Sequence, residues 1–322
     1  MISINNIVRS VDRASNDSDI KQLNILTLCK GNEKYITLLS QLLHNFYLLP
    51  DQPWNMIVEK RPPNLQTLSL CVGPLDYIIC FDRAEQYEEA QKIAKTWHVP
   101  IILVDMCTHH FIRPQNIIEG VSVKDQSQLY KKPALQVACT QNIQTSWNHG
   151  EPSITIPIGI DTDKFKNTTT DNDYFIAIDN HVPTEIGSLI GSKLLTSYTM
   201  IPTDHNDLTD IAVNKARYFI NTYKTVTVKM LEAMSAGAVV ITVKNPDTEN
   251  FIKHLSTGIL IDSLDDLPIV INTVENKDKD FKLQICKAAR DKIIAEHSVK
   301  NFLDKWTQAL TMLKSAFYTP PI

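Results

Sequence analysis

The sequence predicts an α/β protein of two doubly wound, parallel-sheet domains. Three observations carry that prediction. Short apolar runs bounded by turn residues alternate with amphipathic helical stretches along most of the chain. The connections between runs are too long for hairpins, so successive strands must pair in parallel through crossovers. The 322 residues suffice for two cores, since a domain takes roughly 100–200 residues.

The first cycle opens after residues 1–20, a polar stretch rich in Asn, Asp and Ser that reads as a loose arm. LNILTLC (23–29) is a short buried strand, and CKGNEKY follows as a loop. ITLLSQLLHNFYLL (36–49) has helical apolar spacing, and NMIVE (55–59) reads as a second strand before the break at RPPN. DYIICFD (76–82), VPIILVDM (99–106) and ALQVACT (134–140) are further strands. Their near-continuous apolar character suits a parallel sheet covered on both faces. EQYEEAQKIAKTW (85–97) is a charged amphipathic helix, and a short helical stretch near NIQTSW closes the cycle.

The second cycle begins at SITIPIG (153–159), a strand leading into a linker. DYFIAID (173–179), RYFINT (217–222), AVVITV (238–243) and TGILID (257–262) read as strands, with one more expected inside SLIGSKLLTSYTM (188–200). DLTDIAVNKA (207–216), TVTVKMLEAMSAG (225–237) and DTENFIKHL (247–255) read as helices, the second stopping at Gly237. Two amphipathic helices end the chain. The expected domains are 1–152 and 153–306, with 307–322 as a helix end and tail.

Composition narrows the function classes. Hydrophobic residues make up 43% and charged residues 21%, as in ordinary globular proteins. Net charge is −4, and residues 1–150 hold 14 Lys/Arg against 14 Asp/Glu, so the acidic excess lies in the second half. No strong nucleic-acid footprint follows. No apolar run reaches the ~20 residues of a membrane span. The N-terminus lacks a charged start followed by a long apolar stretch, so the cytoplasm is the expected compartment. The six cysteines form no CxxC pair and read as small buried hydrophobes.

Chemistry is expected at the carboxyl ends of the strands, in a cleft between the two sheets. The step from RYFINT into VKMLE offers a helix N-terminus suited to phosphate. Thr225 and Thr227 add hydroxyls there, and Lys224 and Lys229 add charge; the plain alternative is a threonine cap with solvated lysines. Glu232 lies farther along the same helix, where a carboxylate could accept two hydrogen bonds from a ribose diol; the plain alternative is a solvated surface glutamate. In the first domain, His109 and His110 follow a buried strand that ends at Asp105, and these three are candidate catalytic groups, with Arg113 in the same loop and Gly31 in the loop after the first strand. There is no GxxxxGK[ST] and no GxGxxG, which argues against a P-loop NTPase and a standard dinucleotide fold.

KMLEAMSAGAVVITV, followed by DTEN and STGILID, resembles the signature of the retaining glycosyltransferases of family 4. IPIGIDTDKF (156–165) is similar to that family's Pro-x-Gly-x-Asp-x-x-x-Phe linker, and IIAEHSVKNFLDKW (293–306) to its C-terminal helix segment. The resemblance is good over 153–306 and weak over 1–150. It implies the GT-B architecture of two Rossmann-like domains and a nucleoside diphosphate sugar, UDP-linked by expectation, as co-substrate. Glu232 matches the second glutamate of the family's Glu-x7-Glu motif, which implies a ribose contact, but the first glutamate's position holds Lys224. Thr225-Val226-Thr227-Val228 stands in place of the family's Gly-Phe-Gly-Leu, which implies that the backbone N–H groups of Thr227 and Val228 face the phosphate. Two donor-phosphate cations are missing from IDNHVPTE (178–185), and Lys193, Arg217, Lys224 and Lys229 are the candidates to replace them.

The resemblance also implies transfer with retention, without a protein nucleophile and without a required metal. An epimerase of the same fold, a catalytically silent nucleotide-sugar binder and an unrelated hinged two-domain binding protein remain open. The acceptor is open as well. The compact chain and divergent first half are similar to viral glycosyltransferases, which brings hydroxymethylated bases of phage DNA forward as a candidate acceptor.

Overall fold

The computed structural model describes residues 22–56, 59–81, 84–106, 133–147, 152–166, 175–178, 199–202, 213–223 and 225–317. The expected N-terminal arm (1–20) and the expected helix within 188–198 lie outside them. The chain divides into two compact units, 1–157 with 302–322, and 158–301.

The first unit is built on a seven-stranded, wholly parallel sheet. Its elements in chain order are β1 (Asn24–Leu28), α1 (Glu33–Leu39), β2 (Asn45–Leu48), β3 (Leu65–Thr67), β4 (Tyr77–Phe81), α2 (Ala84–Trp97), β5 (Ile101–Asp105), β6 (Leu135–Ala138), α3 (Gln141–Trp147) and β7 (Ser153–Thr155). The order across the sheet is β3-β2-β1-β4-β5-β6-β7. Strands β4 and β5 are buried at every position, as a sheet covered on both faces requires. Winding reverses between β1 and β4.

Three expectations for this unit need correcting. The 14-residue helix read at 36–49 is a short helix, a turn and then strand β2. Helical spacing in so apolar a run is ambiguous. Here β1 and β3 flank β2 and supply its backbone partners, and Thr27 Oγ1 donates to the Tyr47 carbonyl at 3.0 Å. The edge strand is Leu65–Thr67, after the Pro-Pro break, and no strand is assigned to the described part of 55–59. Residues 153–155 add β7 to this first sheet, pairing with β6.

The second unit carries β8 (Phe175–Ile178), β9 (Thr199–Pro202), β10 (Tyr218–Asn221), α4 (Val228–Ala236), β11 (Val239–Val243), α5 (Pro246–Phe251), β12 (Ile259–Ile261), α6 (Leu267–Glu275) and α7 (Lys279–His297). Its five strands are parallel in the order β12-β11-β10-β8-β9. Winding reverses between β8 and β10. Helix α6 was not anticipated from the sequence; it starts beside Pro268 and buries Leu267, Ile271 and Val274 against the sheet.

The last helix, α8, spans Val299–Phe317. From Phe302 onward it groups with the first unit, whereas the sequence reading ran the second domain to 306. The reason is an aromatic cluster. Trp306 Nε1 donates to Tyr35 Oη at 3.0 Å, and Phe302, Trp306 and Phe81 all meet the Tyr35 ring edge-on.

Candidate functional site

In open parallel sheets, ligands bind outside the carboxyl ends of strands where the winding reverses. In the second unit that point lies between β8 and β10. The segment following β10, residues 222–227, therefore sits where a site is expected.

Strand β10 ends in Asn221, which is wholly buried. A buried amide must be hydrogen-bonded, and this one organises the loop. Its Nδ2 donates to the Thr225 carbonyl at 2.9 Å and to Thr242 Oγ1 on β11 at 3.3 Å. Its Oδ1 accepts from Tyr223 N at 3.3 Å. Both halves of the loop are thus tied to the strand end.

Helix α4 starts at the next step. Thr227 has extended backbone angles, and its Oγ1 accepts from Met230 N at 3.1 Å. The plain reading of that threonine as a cap holds. No acidic residue occupies the first turn, so nothing of negative charge from the helix itself meets the positive end of its dipole. Val228 and Lys229 open the helix, both partly buried. The helix ends at Gly237, whose φ of 84° is left-handed and whose N–H reaches back to Ala233 and Met234.

Glu232 lies on this helix and is only 3% exposed. The solvated-surface reading is therefore excluded. A carboxylate is costly to bury unless polar partners surround it. Strand β11 leads to α5, capped by Asn245, whose Oδ1 accepts from Asp247 N at 3.0 Å and Thr248 N at 3.2 Å. Asp247 is buried, and its Oδ2 accepts from Thr225 Oγ1 at 3.2 Å. The loop after β10 and the helix after β11 are joined at this contact.

The linker motif is fixed to the far end of α4. Asp161 Oδ1 accepts from the backbone of Asp163 and Lys164 at 3.1 and 3.0 Å. The Phe165 carbonyl accepts from Ser235 Oγ at 2.8 Å and from the Arg290 guanidinium at 2.9 Å. Arg290 also donates to the Ser235 carbonyl and, at 3.0 Å, to that of Thr162. Two segments that resembled one family in sequence are thus held together by one arginine of α7.

The structure brings together Thr225, Thr227, Val228, Lys229 and Glu232. It does not bring Arg217 to them. That residue precedes β10 at its amino end, where its guanidinium meets Glu275 at 3.3 Å beside Lys282. A four-residue strand separates Arg217 from the loop. In the first unit, Asp105 ends β5 almost fully buried and accepts from Gln136 Nε2 of β6. Gly31 adopts φ 82° in the loop after β1, and its N–H donates to Glu33 Oε1 at 3.2 Å. His109, His110, Arg113, Lys193 and Lys224 lie outside the described residues. Sequence reasoning missed Asn221 and the Asp247 contact. The signal for the first was a polar residue closing an apolar strand, and for the second the acidic turn DTEN.

Among the described residues, Cys29, Cys80 and Cys139 are buried, no group of three His, Cys, Asp or Glu is placed to hold a metal ion, and no helix is long and apolar enough to cross a membrane.

Residues 204–308, which contain the whole β10–α4–β11–α5 segment, match a family model described as glycosyl transferase-like. That match covers about a third of the chain. The fold agrees over nearly the full chain. HepE of Anabaena, solved with UDP-glucose, superposes with a TM-score of 0.70 at 14% identity, over 90% of this chain and 100% of that one. Sucrose-phosphate synthase of Thermosynechococcus elongatus gives 0.69 at 12% identity, over 92% and 100%. A glycosyltransferase of Rickettsia africae gives 0.66 at 12% identity, over 94% and 100%. No curated protein matches the chain. The structural neighbours are GT-B glycosyltransferases, and this chain shares their parallel, Rossmann-like fold. Family match and fold together support a glycosyltransferase.

Proposed function

We propose that this protein transfers a sugar from a UDP-linked donor to an acceptor hydroxyl, with retention at the anomeric carbon and with no metal required. One observation carries the reading. A buried glutamate, Glu232, lies on a threonine-capped helix at the switch point of the second sheet, inside the segment that matches the glycosyl transferase-like family. The complexes of Anabaena HepE with UDP and with UDP-glucose support the choice of nucleotide.

In this reading Glu232 accepts from the ribose diol. The positive end of the α4 dipole, beginning at Val228, receives the diphosphate. Lys229, Lys224 and Lys193 supply positive charge, and Thr225 and Thr227 shape the approach. Arg217 takes no part. Asp105, His109 and His110 are assigned to the transferred sugar, and Gly31 and Arg113 to the acceptor. The acceptor oxygen bonds to the anomeric carbon while the bond from that carbon to the diphosphate oxygen breaks. The departing diphosphate takes the acceptor proton, so the products are the glycoside and UDP. Catalysis is then mainly positioning and stabilisation of the charge that develops on the leaving group.

Glu232→Ala should weaken UDP binding by more than about tenfold, since a bond to a charged group contributes roughly 1.5–3 kcal/mol. Titration calorimetry gives the affinity, and circular dichroism checks the fold. Unchanged affinity in a folded variant removes the ribose assignment. For the acceptor, the reading put forward is a hydroxymethylated base in phage DNA, supported by the compact chain and its divergent first half. Radiolabel from a UDP-sugar should enter a hydroxymethylated duplex and not a plain one; label in neither rejects that acceptor.

A further inference from the structure

Among the described residues of the second unit, two carboxylates are buried, Glu232 and Asp247. They belong to the helices that follow adjacent strands, β10 and β11, at the carboxyl edge of the sheet. The donor reading uses only the first. We infer that Asp247 is the specificity-determining carboxylate of this site, accepting hydrogen bonds from hydroxyls of the donor's sugar.

This inference rests on the donor site proposed above. Its own support is the placement of Asp247. Thr225 Oγ1 donates to Asp247 Oδ2 at 3.2 Å, and Thr225 is two residues before the cap of α4. Two residues of chain reach about 7 Å. The carboxylate therefore stands on the loop side of the helix start, and Glu232 stands on its helical side. A nucleoside diphosphate sugar carries hydroxyls on both sides of its diphosphate, the ribose diol at one end and the sugar at the other. With the phosphates at the start of α4 and the ribose at Glu232, the sugar extends toward Thr225 and Asp247.

The loop is also preorganised for this task. Asn221 fixes the Thr225 carbonyl and Tyr223 N, so the Thr225 hydroxyl is presented from a pinned backbone. The Asn245 cap fixes the backbone of Asp247 through its N–H at 3.0 Å. A carboxylate held from both sides offers a defined acceptor, and a defined acceptor can tell one hydroxyl configuration from another.

The test compares UDP with UDP-glucose and UDP-N-acetylglucosamine on the full chain by calorimetry, the sugar nucleotide that wild type binds more tightly serving as probe. The quantity read is the ratio of the sugar nucleotide's Kd to that of UDP. Asp247→Asn should raise this ratio about tenfold, the effect of losing a bond to a charged acceptor, with UDP affinity kept within about twofold. Thr225→Ala, which removes only the orienting hydroxyl, should raise it by roughly threefold, in line with one neutral hydrogen bond. Retained UDP binding in Asp247→Asn shows that the site is formed; Thr225→Ala is read by the ratio alone, which cancels any loss common to UDP and the sugar nucleotide, and it carries the test if Asp247→Asn does not fold. A ratio unchanged in the folded variants overturns the inference while leaving the donor site intact. Wild-type protein that binds neither UDP nor the sugar nucleotides overturns the donor site itself.

Discussion

The loop from β1 to α1 and the loop from β10 to α4 both leave a strand's carboxyl end where the winding of a parallel sheet reverses. In the first unit, α1 has an acidic residue in its first turn, and the Asn32 side chain makes no cap. Glu33 is buried, and its Oε1 accepts from Gly31 N. The protein's own carboxylate occupies the positive end of that helix. In the second unit, Thr227 caps α4 with a neutral hydroxyl, the first turn carries Lys229, and the buried carboxylate Glu232 comes later. In the proposed reading, the same strand-to-helix step is filled by an internal carboxylate in one unit and receives the donor's phosphates in the other. Cys29 lies close to this charge. Burial, reinforced by Glu33, pushes its thiol up to about 12, so it is no nucleophile at neutral pH.

The largest expected effect comes from making the second helix start resemble the first. Lys229→Glu places a carboxylate in the first turn of α4. Helix stability should hold or rise, while UDP affinity should fall about a hundredfold, because unit charges a few ångströms apart interact by several kcal/mol near a protein surface. Calorimetric affinity close to wild type would break the comparison. The reverse change, Glu33→Gln, removes the charge at α1. It should lower stability by roughly 1–2 kcal/mol through a weaker bond to Gly31 N and leave UDP affinity within about twofold. Urea unfolding and calorimetry read the two quantities; a large loss of UDP binding would mean that the first helix start also serves the nucleotide.

The smallest effect concerns the amino end of β10. Burial works to raise the Glu275 carboxyl, but hydrogen bonds from Tyr218 and Lys282 and the Arg217 charge outweigh it and hold the group below its ordinary 4.5. A depressed carboxyl contributes stability that is complete above its unfolded value and lost as pH falls through its folded value. Wild type should therefore lose this contribution only in acid below about pH 4.5. Glu275→Gln should lack it at pH 7, lowering the thermal midpoint there by a few degrees, roughly the effect of 1 kcal/mol, and should show a shallower loss in acid. UDP affinity should not change. A fall in UDP affinity would return Arg217 to the donor site.

The parts legible in the sequence were those decided within one element and its two ends. Gly237 marked the stop of α4, Thr225 or Thr227 its cap, and the apolar runs at 101–105 and 239–243 their buried strands. These outcomes depend on backbone angles, capping hydrogen bonds and burial, which short spacing records. The GT-B resemblance rested on the linker and the Leu-Glu-Ala-Met helix, and these prove to be one cluster joined through Ser235 and Arg290.

Tertiary structure decided what depends on partners far along the chain. Residues 45–48 became a strand because β1 and β3 offered backbone partners that a helix could not use. Residues 153–155 joined the first sheet through β6, and Trp306 joined the first unit through Tyr35, 271 residues away. Arg217 reads as near Lys224 in sequence, yet a parallel strand places its two ends on opposite edges of the sheet, so the arginine serves Glu275. For Glu232 the sequence by itself identified the residue and its helix. Its burial, and its company with Thr227 at the switch point, came only from the packing of α4 against the second sheet.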